Sequence, residues 1–195
     1  MSIEIGRRLV HASGALVPGA YLLDGHVLET GTVTWPVVQA VAVVGLLATV
    51  VLEAARLHGG LEHAIYDRLT REYEQETVAG YALYALSGTV TVVAFEPRLA
   101  VPAVLMLAVG DPVSGVLASG GLRRIARPRV LAGMFLVSLA LAVPFVPLGA
   151  AVAGALAATI ADGVKPVVGG YVVDDNLTIP LAAAGAMWVA LAAFG

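Results

Sequence analysis

Seven apolar stretches dominate this chain, at roughly residues 9–23, 35–52, 78–95, 99–118, 130–147, 148–160 and 179–194. Most approach the ~20 residues that carry a helix across a bilayer. The first and sixth are short or poorly bounded, which leaves six as the alternative count. A sequence of 195 residues that is 59% hydrophobic and 13% charged, with mean hydropathy +0.89, has the composition of a polytopic membrane protein and not of a soluble domain. The expected fold is all-α: about seven transmembrane helices joined by short loops into a single integral-membrane domain over residues 1–195.

Charge gives this arrangement a direction. With seven spans, the N-terminal stretch and the loops near 53–77, 119–129 and 161–178 share one side. That side carries Arg7, Arg8, Arg56, Arg68, Arg71, Arg123, Arg124, Arg127, Arg129 and Lys165, ten of the eleven Lys+Arg; only Arg98 lies opposite. Lys and Arg collect in cytoplasmic loops, so this side is expected to face the cytoplasm. Most of the acids lie there too. In the longest polar segment, Leu57, Leu61, Ile65 and Leu69 recur every fourth residue, as in an amphipathic helix lying on the membrane surface. Zero cysteines exclude disulfides and thiolate metal sites, and four scattered histidines make no zinc motif. No basic aromatic platform for nucleic acid is present. Glycines, Pro18 and His11 interrupt the first apolar stretch and no clean cleavage site follows it, so a cleaved leader is not expected.

Against that apolar background one charge stands out. Asp111 sits in an otherwise uncharged run of about 20 residues, where a carboxylate costs several kcal/mol unless it faces a polar cavity, a cation or a metal. It lies in Gly110-Asp111-Pro112, with Gly115, Gly120 and Gly121 following. These residues favour close backbone approach and an interrupted helix. Arg123, Arg124, Arg127 and Arg129 come next; glycine N–H groups and arginines suit a polyphosphate, and an aspartate suits the Mg²⁺ that accompanies it. A positive-inside loop is the plainer reading of the same residues, and no Walker A motif is present.

Three further groups fall on the same side. Glu4, Arg7 or Arg8, and His11 share a helical face, as an anion site or as a lipid-facing anchor. Glu53 with Arg56, and Asp162 with Lys165, are acid–base pairs three residues apart at the ends of apolar stretches. Asp174-Asp175-Asn176 opens the last stretch, either as a helix cap or as a second set of metal ligands.

Taken in order, these pieces resemble the integral-membrane CTP-dependent lipid kinases, namely the dolichol or polyprenol, phytol and CTP-dependent diacylglycerol kinases, which are related to the phosphatidate cytidylyltransferases. The family's opening E-x-x-R-K-x-x-H-x-x-x-G is similar to Glu4, Arg7, Arg8, His11 and, one residue early, Gly14. Its E-x-x-R is matched by Glu53 and Arg56, its Gly-Asp motif by Gly110, Asp111, Ser114 and Gly115, and its late acid and D-N-x-x-I-P element by Asp162, Asp175, Asn176, Ile179 and Pro180. Where the family has K-[ST]-x-E-G-[ST], this chain reads Arg129-Val130-Leu131-Ala132-Gly133-Met134, without the carboxylate.

The resemblance implies transfer of the γ-phosphoryl group of CTP to an isoprenoid alcohol such as a polyprenol or dolichol at the cytoplasmic face. It implies Asp111, Asp175 and Asn176 as Mg²⁺ ligands, and Asp111, Asp175 and His11 as catalytic groups. Arg7, Arg8, Gly110, Gly115, Arg129 and Lys165 would bind nucleotide, and Asp162 would act as an acid/base or outer group. The alternatives are a cytidylyltransferase making a CDP-linked lipid, and a non-enzymatic transporter or lipid-binding protein.

Overall fold

The computed structural model describes residues 11–58, 77–118, 125–164, 167–168 and 171–194. Seven helices account for nearly all of them: α1 (Leu16–Leu23), α2 (Trp35–His58), α3 (Gly80–Ala94), α4 (Pro97–Leu117), α5 (Pro128–Ala142), α6 (Leu148–Gly163) and α7 (Asp175–Phe194). A hairpin of two two-residue strands, Val167–Val168 and Tyr171–Val172, lies between α6 and α7. The helices follow the apolar stretches, with polar or Pro-containing joints between them. Prolines at the starts of α4 and α5 fit positions whose N–H has no helical partner.

Three helices, α2, α4 and α7, are long and apolar enough to cross a membrane. The apolar helices α3, α5 and α6 have 15, 15 and 16 residues. The outside of the bundle fits a lipid setting. Along α2 only Val38 and Glu53 are buried, while Val41, Val44, Leu47 and Val51 point outward with about half or more of their surface open. Water would penalise such a face, whereas hydrocarbon tolerates it.

The core gathers around α4. Leu99, Ala103, Met106 and Leu107 from that helix pack with Met134 of α5, Ala151 and Ala158 of α6, and Ile179, Ala183 and Met187 of α7. Close helix approach explains some of the glycines. A Cβ on Gly154 would lie 2.5 Å from Cγ of Met187, and one on Gly110 would lie 2.9 Å from Sδ of Met134. Gly133 meets Leu117 in the same way, so the glycine of the departed segment seats α5 on α4.

The expected interruption at Gly110-Asp111-Pro112 is replaced by something milder. Met106–Gly110 forms a π-turn, after which α4 continues without a break through Leu117. Widening the helix by one residue leaves the Pro112 ring room that a straight α-helix would deny it.

Side chains tie the helices at both ends. At one end Glu53, buried, accepts Nη2 of Arg56 at 2.6 Å, Nε of Arg56 at 3.0 Å, the N–H of Ala79 at 2.8 Å and the hydroxyl of Tyr81. Nη2 of Arg56 also reaches the carbonyl of Thr77 at 2.6 Å. This pair joins the end of α2 to the start of α3. Ser87 donates to the carbonyl of Asn176 at 2.5 Å and fastens α3 to the first turn of α7. At the other end Asp24 accepts the Thr30 hydroxyl and, at 2.9 Å, the N–H of Val33, which hold its carboxyl below the usual range. The expected amphipathic helix falls mainly on residues 59–76, outside those described; its first residues, through His58, prolong α2.

Candidate functional site

Three carboxylates from three helices meet at the Glu53 end of the bundle. Asp111 follows the π-turn of α4, Asp162 lies in the last turn of α6, and Asp175 lies in the first turn of α7. One oxygen from each falls within 4.8 Å of the others. Asp162 and Asp175 are 7% and 5% exposed, so little water screens their mutual repulsion. Asp162 also stands at the negative end of its helix dipole, where an acid is disfavoured. Local helix preference accounts for none of this placement except Asp175, at a helix start.

The neighbours hold these groups in place. Ser114, one turn beyond Asp111 on α4, approaches Oδ1 of Asp162 and the carbonyl of Asp111, both at 3.1 Å; its single proton serves one of them at a time. Asp174 takes the capping work: its Oδ1 accepts the backbone N–H of Asn176 at 2.9 Å and the side-chain Nδ2 at 2.7 Å. That leaves Asp175, which also accepts the Asn176 N–H at 3.1 Å, turned toward the cluster.

His11 completes the arrangement. Its Nδ1 lies 3.1 Å from Oδ2 of Asp111, and its ring meets Tyr84 edge-on with centroids 4.7 Å apart. An Nδ1–H donated to Asp111 leaves Nε2 as the basic nitrogen. Nε2 of His11 and the hydroxyl of Tyr84 are both buried without a hydrogen-bond partner among the described residues. Gly14 permits this: a Cβ there would fall 1.7 Å from the Tyr84 oxygen.

The structure thus brings together Asp111, Asp175 and His11 from the expected site and adds Asp162 to the carboxylates. Asn176 lies beside the cluster with its amide nitrogen engaged by Asp174. Gly110 is buried against Met134 in the π-turn, and Gly115 lies on α4 one residue past Ser114. Arg129 is exposed on the first turn of α5. Glu4, Arg7, Arg8, Arg123, Arg124 and Lys165 lie outside the described residues. Tyr84 is the residue that sequence reasoning missed. The signal was a polar stripe on α3: Tyr81, Tyr84, Ser87 and Thr91 follow one another at spacings of three, three and four.

A divalent cation suits this donor set. Three carboxylates converging at low exposure are hard oxygen ligands of the kind Mg²⁺ and Ca²⁺ take, and they require positive charge or protons to coexist. No family model matches the chain, and neither a curated protein nor a solved structure matches it.

Proposed function

We propose that this chain is a multi-pass membrane enzyme that transfers the γ-phosphoryl group of CTP to an isoprenoid alcohol, with its site at the cytoplasmic face. The observation that carries the reading is the meeting of Asp111, Asp162 and Asp175 from three helices, with His11 on Asp111, at one end of an apolar bundle. The charge count supports the orientation, since ten of eleven Lys+Arg fall in segments assigned to that side by a seven-span topology.

Phosphoryl transfer asks a protein mainly for positioning and charge neutralisation. Asp111, Asp162 and Asp175 would hold Mg²⁺, which when bound offsets charge on the phosphates. His11 has the geometry of a general base: Asp111 fixes Nδ1, and Nε2 accepts the proton of the alcohol as its oxygen bonds to the γ-phosphorus. The bond from that phosphorus to the β–γ bridging oxygen breaks, and CDP leaves. The basic residues of this face, Arg7, Arg8, Arg129 and Lys165 among them, would neutralise the triphosphate.

Membranes incubated with CTP labelled at the γ-phosphate and a panel of alcohols test this reading. Label in lipid supports the kinase. Cytidine in lipid instead points to attack at the α-phosphorus and the cytidylyltransferase reading. Absence of both from wild-type protein, with Asp111→Asn changing only lipid binding or transport, favours a non-enzymatic role.

A further inference from the structure

A cavity of about 270 Å³ lies between α1, α2, α3 and α4, and Tyr84, whose buried hydroxyl has no partner among the described residues, is part of its lining. Its walls are thin where Ala42 and Gly45 of α2 face Ala85 and Gly88 of α3. The two threonines in the lining have spent their hydroxyls: Thr49 donates to the carbonyl of Gly45 at 2.7 Å and Thr89 to that of Ala42 at 3.0 Å. Among the described lining residues, Tyr84 is therefore the side chain with an unspent hydroxyl, and it sits beside His11 and Gly14 at the carboxylate end.

The opposite end is lined by Trp35, packed edge-on against Tyr21 with ring centroids 5.2 Å apart. From Trp35 to Thr49 the α2 wall rises about 21 Å, some two-thirds of the ~30 Å hydrocarbon core. Val17 and Val41, which border the cavity, are 37% and 50% exposed on the lipid-facing surface, so the slot opens sideways into the bilayer.

We infer that this slot receives the tail of a single-chain lipid alcohol and delivers its hydroxyl to Tyr84 and Nε2 of His11. The inference rests on the kinase reading for the identity of the head group, and on the cavity for everything else. About 270 Å³ along some 21 Å of helix suits one hydrocarbon chain better than the two of a phospholipid. Its apolar walls give no foothold to a polar solute. At one end the tail meets Trp35; at the other, the hydroxyl reaches the Tyr84 hydroxyl and, beyond the lining, Nε2 of His11, two buried polar atoms whose desolvation is otherwise uncompensated. Tyr84 donates to the alcohol oxygen, and the alcohol proton points at Nε2. The reacting oxygen is then held beside Asp111 before any nucleotide binds.

The full chain in bilayers of unbrominated phospholipid tests this without CTP. In a Trp188→Phe background Trp35 is the sole tryptophan, and a single-chain alcohol brominated along its tail quenches it on contact. Saturable quenching is expected, and Gly88→Leu should abolish it. Gly88 has open space at its Cβ, so the larger side chain enters the slot without displacing backbone. Gly45→Leu on the facing wall is the second plug, and far-UV circular dichroism verifies folding of both. Tyr84→Phe should weaken the midpoint about three- to tenfold and leave the plateau unchanged, the loss expected for one hydrogen bond. Quenching that stays linear in wild type, survives both plugs, or saturates equally with a brominated two-tailed phospholipid overturns the inference. Saturable binding without γ-phosphoryl transfer to lipid removes the kinase reading and leaves the slot standing; transfer without saturable quenching does the reverse.

Discussion

Replacing Glu53 by alanine should be among the most damaging single changes outside the carboxylate cluster. The substitution strips the acceptor from four donors at once: two nitrogens of Arg56, the N–H of Ala79 and the hydroxyl of Tyr81. Arg56 would keep the Thr77 carbonyl but lose the Glu53 carboxylate while only 8% exposed. Breaking one side of a buried ion pair costs about 3–5 kcal/mol. For a chain of this size each kcal/mol lowers Tm by about 2–4 °C, so a fall of roughly 6–20 °C is expected. Thermal unfolding in detergent micelles, followed by circular dichroism, measures it. A double-mutant cycle then separates the pair from its surroundings. Glu53→Met with Arg56→Leu should cost less than the two single changes added together, with a coupling of about 1–3 kcal/mol. A loss below ~1 kcal/mol for Glu53→Ala, or simple additivity in the cycle, would mean that the pair behaves as a solvated surface bridge. It would then not be what clamps α2 to α3.

Four further outcomes follow from the geometry. Asp162→Asn keeps an acceptor for Ser114 but removes one of three clustered charges, so Mg²⁺-dependent stabilisation should vanish while the chelator-treated protein becomes no less stable; a thermal shift series with Mg²⁺ and EDTA reads both. Gly14→Ala forces the Tyr84 hydroxyl away from a position 1.7 Å from the new Cβ, and should reduce phosphoryl transfer at least tenfold in a labelled-CTP assay while the protein remains folded. Gly154→Val should cost about 1–3 kcal/mol by overpacking the α6–α7 contact against Met187, measured by unfolding in micelles. Because Asp24 titrates below its unfolded value near pH 3.9, its contribution is present above that pH and lost as the pH falls through the lower folded value; Asp24→Asn should flatten stability across that acid limb.

Much of the architecture was legible in the sequence because lipid permits few alternatives. Apolar runs became helices with only their ends adjusted: α2 runs on to His58, and α1 starts at Leu16. Asp111 and Asp175 could be singled out because a charge in or beside an apolar run is costly wherever it points. Asp162 was harder to rank. An acid in the last turn of a helix looks like a loop residue until the neighbouring helices show that it is buried. Tyr84 was harder still, since a tyrosine in an apolar helix is ordinary, and only the packing of Gly14 and His11 against it leaves its hydroxyl unpartnered. Glu53 and Arg56 were visible as a pair, but their burial depends on Ala79 and Tyr81, more than twenty residues away.

The π-turn at Met106–Gly110 carries a consequence for where mutations can be tolerated in α4. One residue in a helix is worth about 100° of rotation. The inserted residue therefore sets the angular phase of Asp111 and Ser114 independently of the apolar stripe formed by Leu99, Ala103 and Met106. Losing a single residue from this turn would leave hydropathy and length almost untouched. It would also swing the carboxylate about a quarter-turn, off the axis shared with Asp162 and Asp175. For this helix a one-residue deletion is a graver change than most substitutions, because the helix keeps its place in the bundle while its chemistry faces the wrong neighbour.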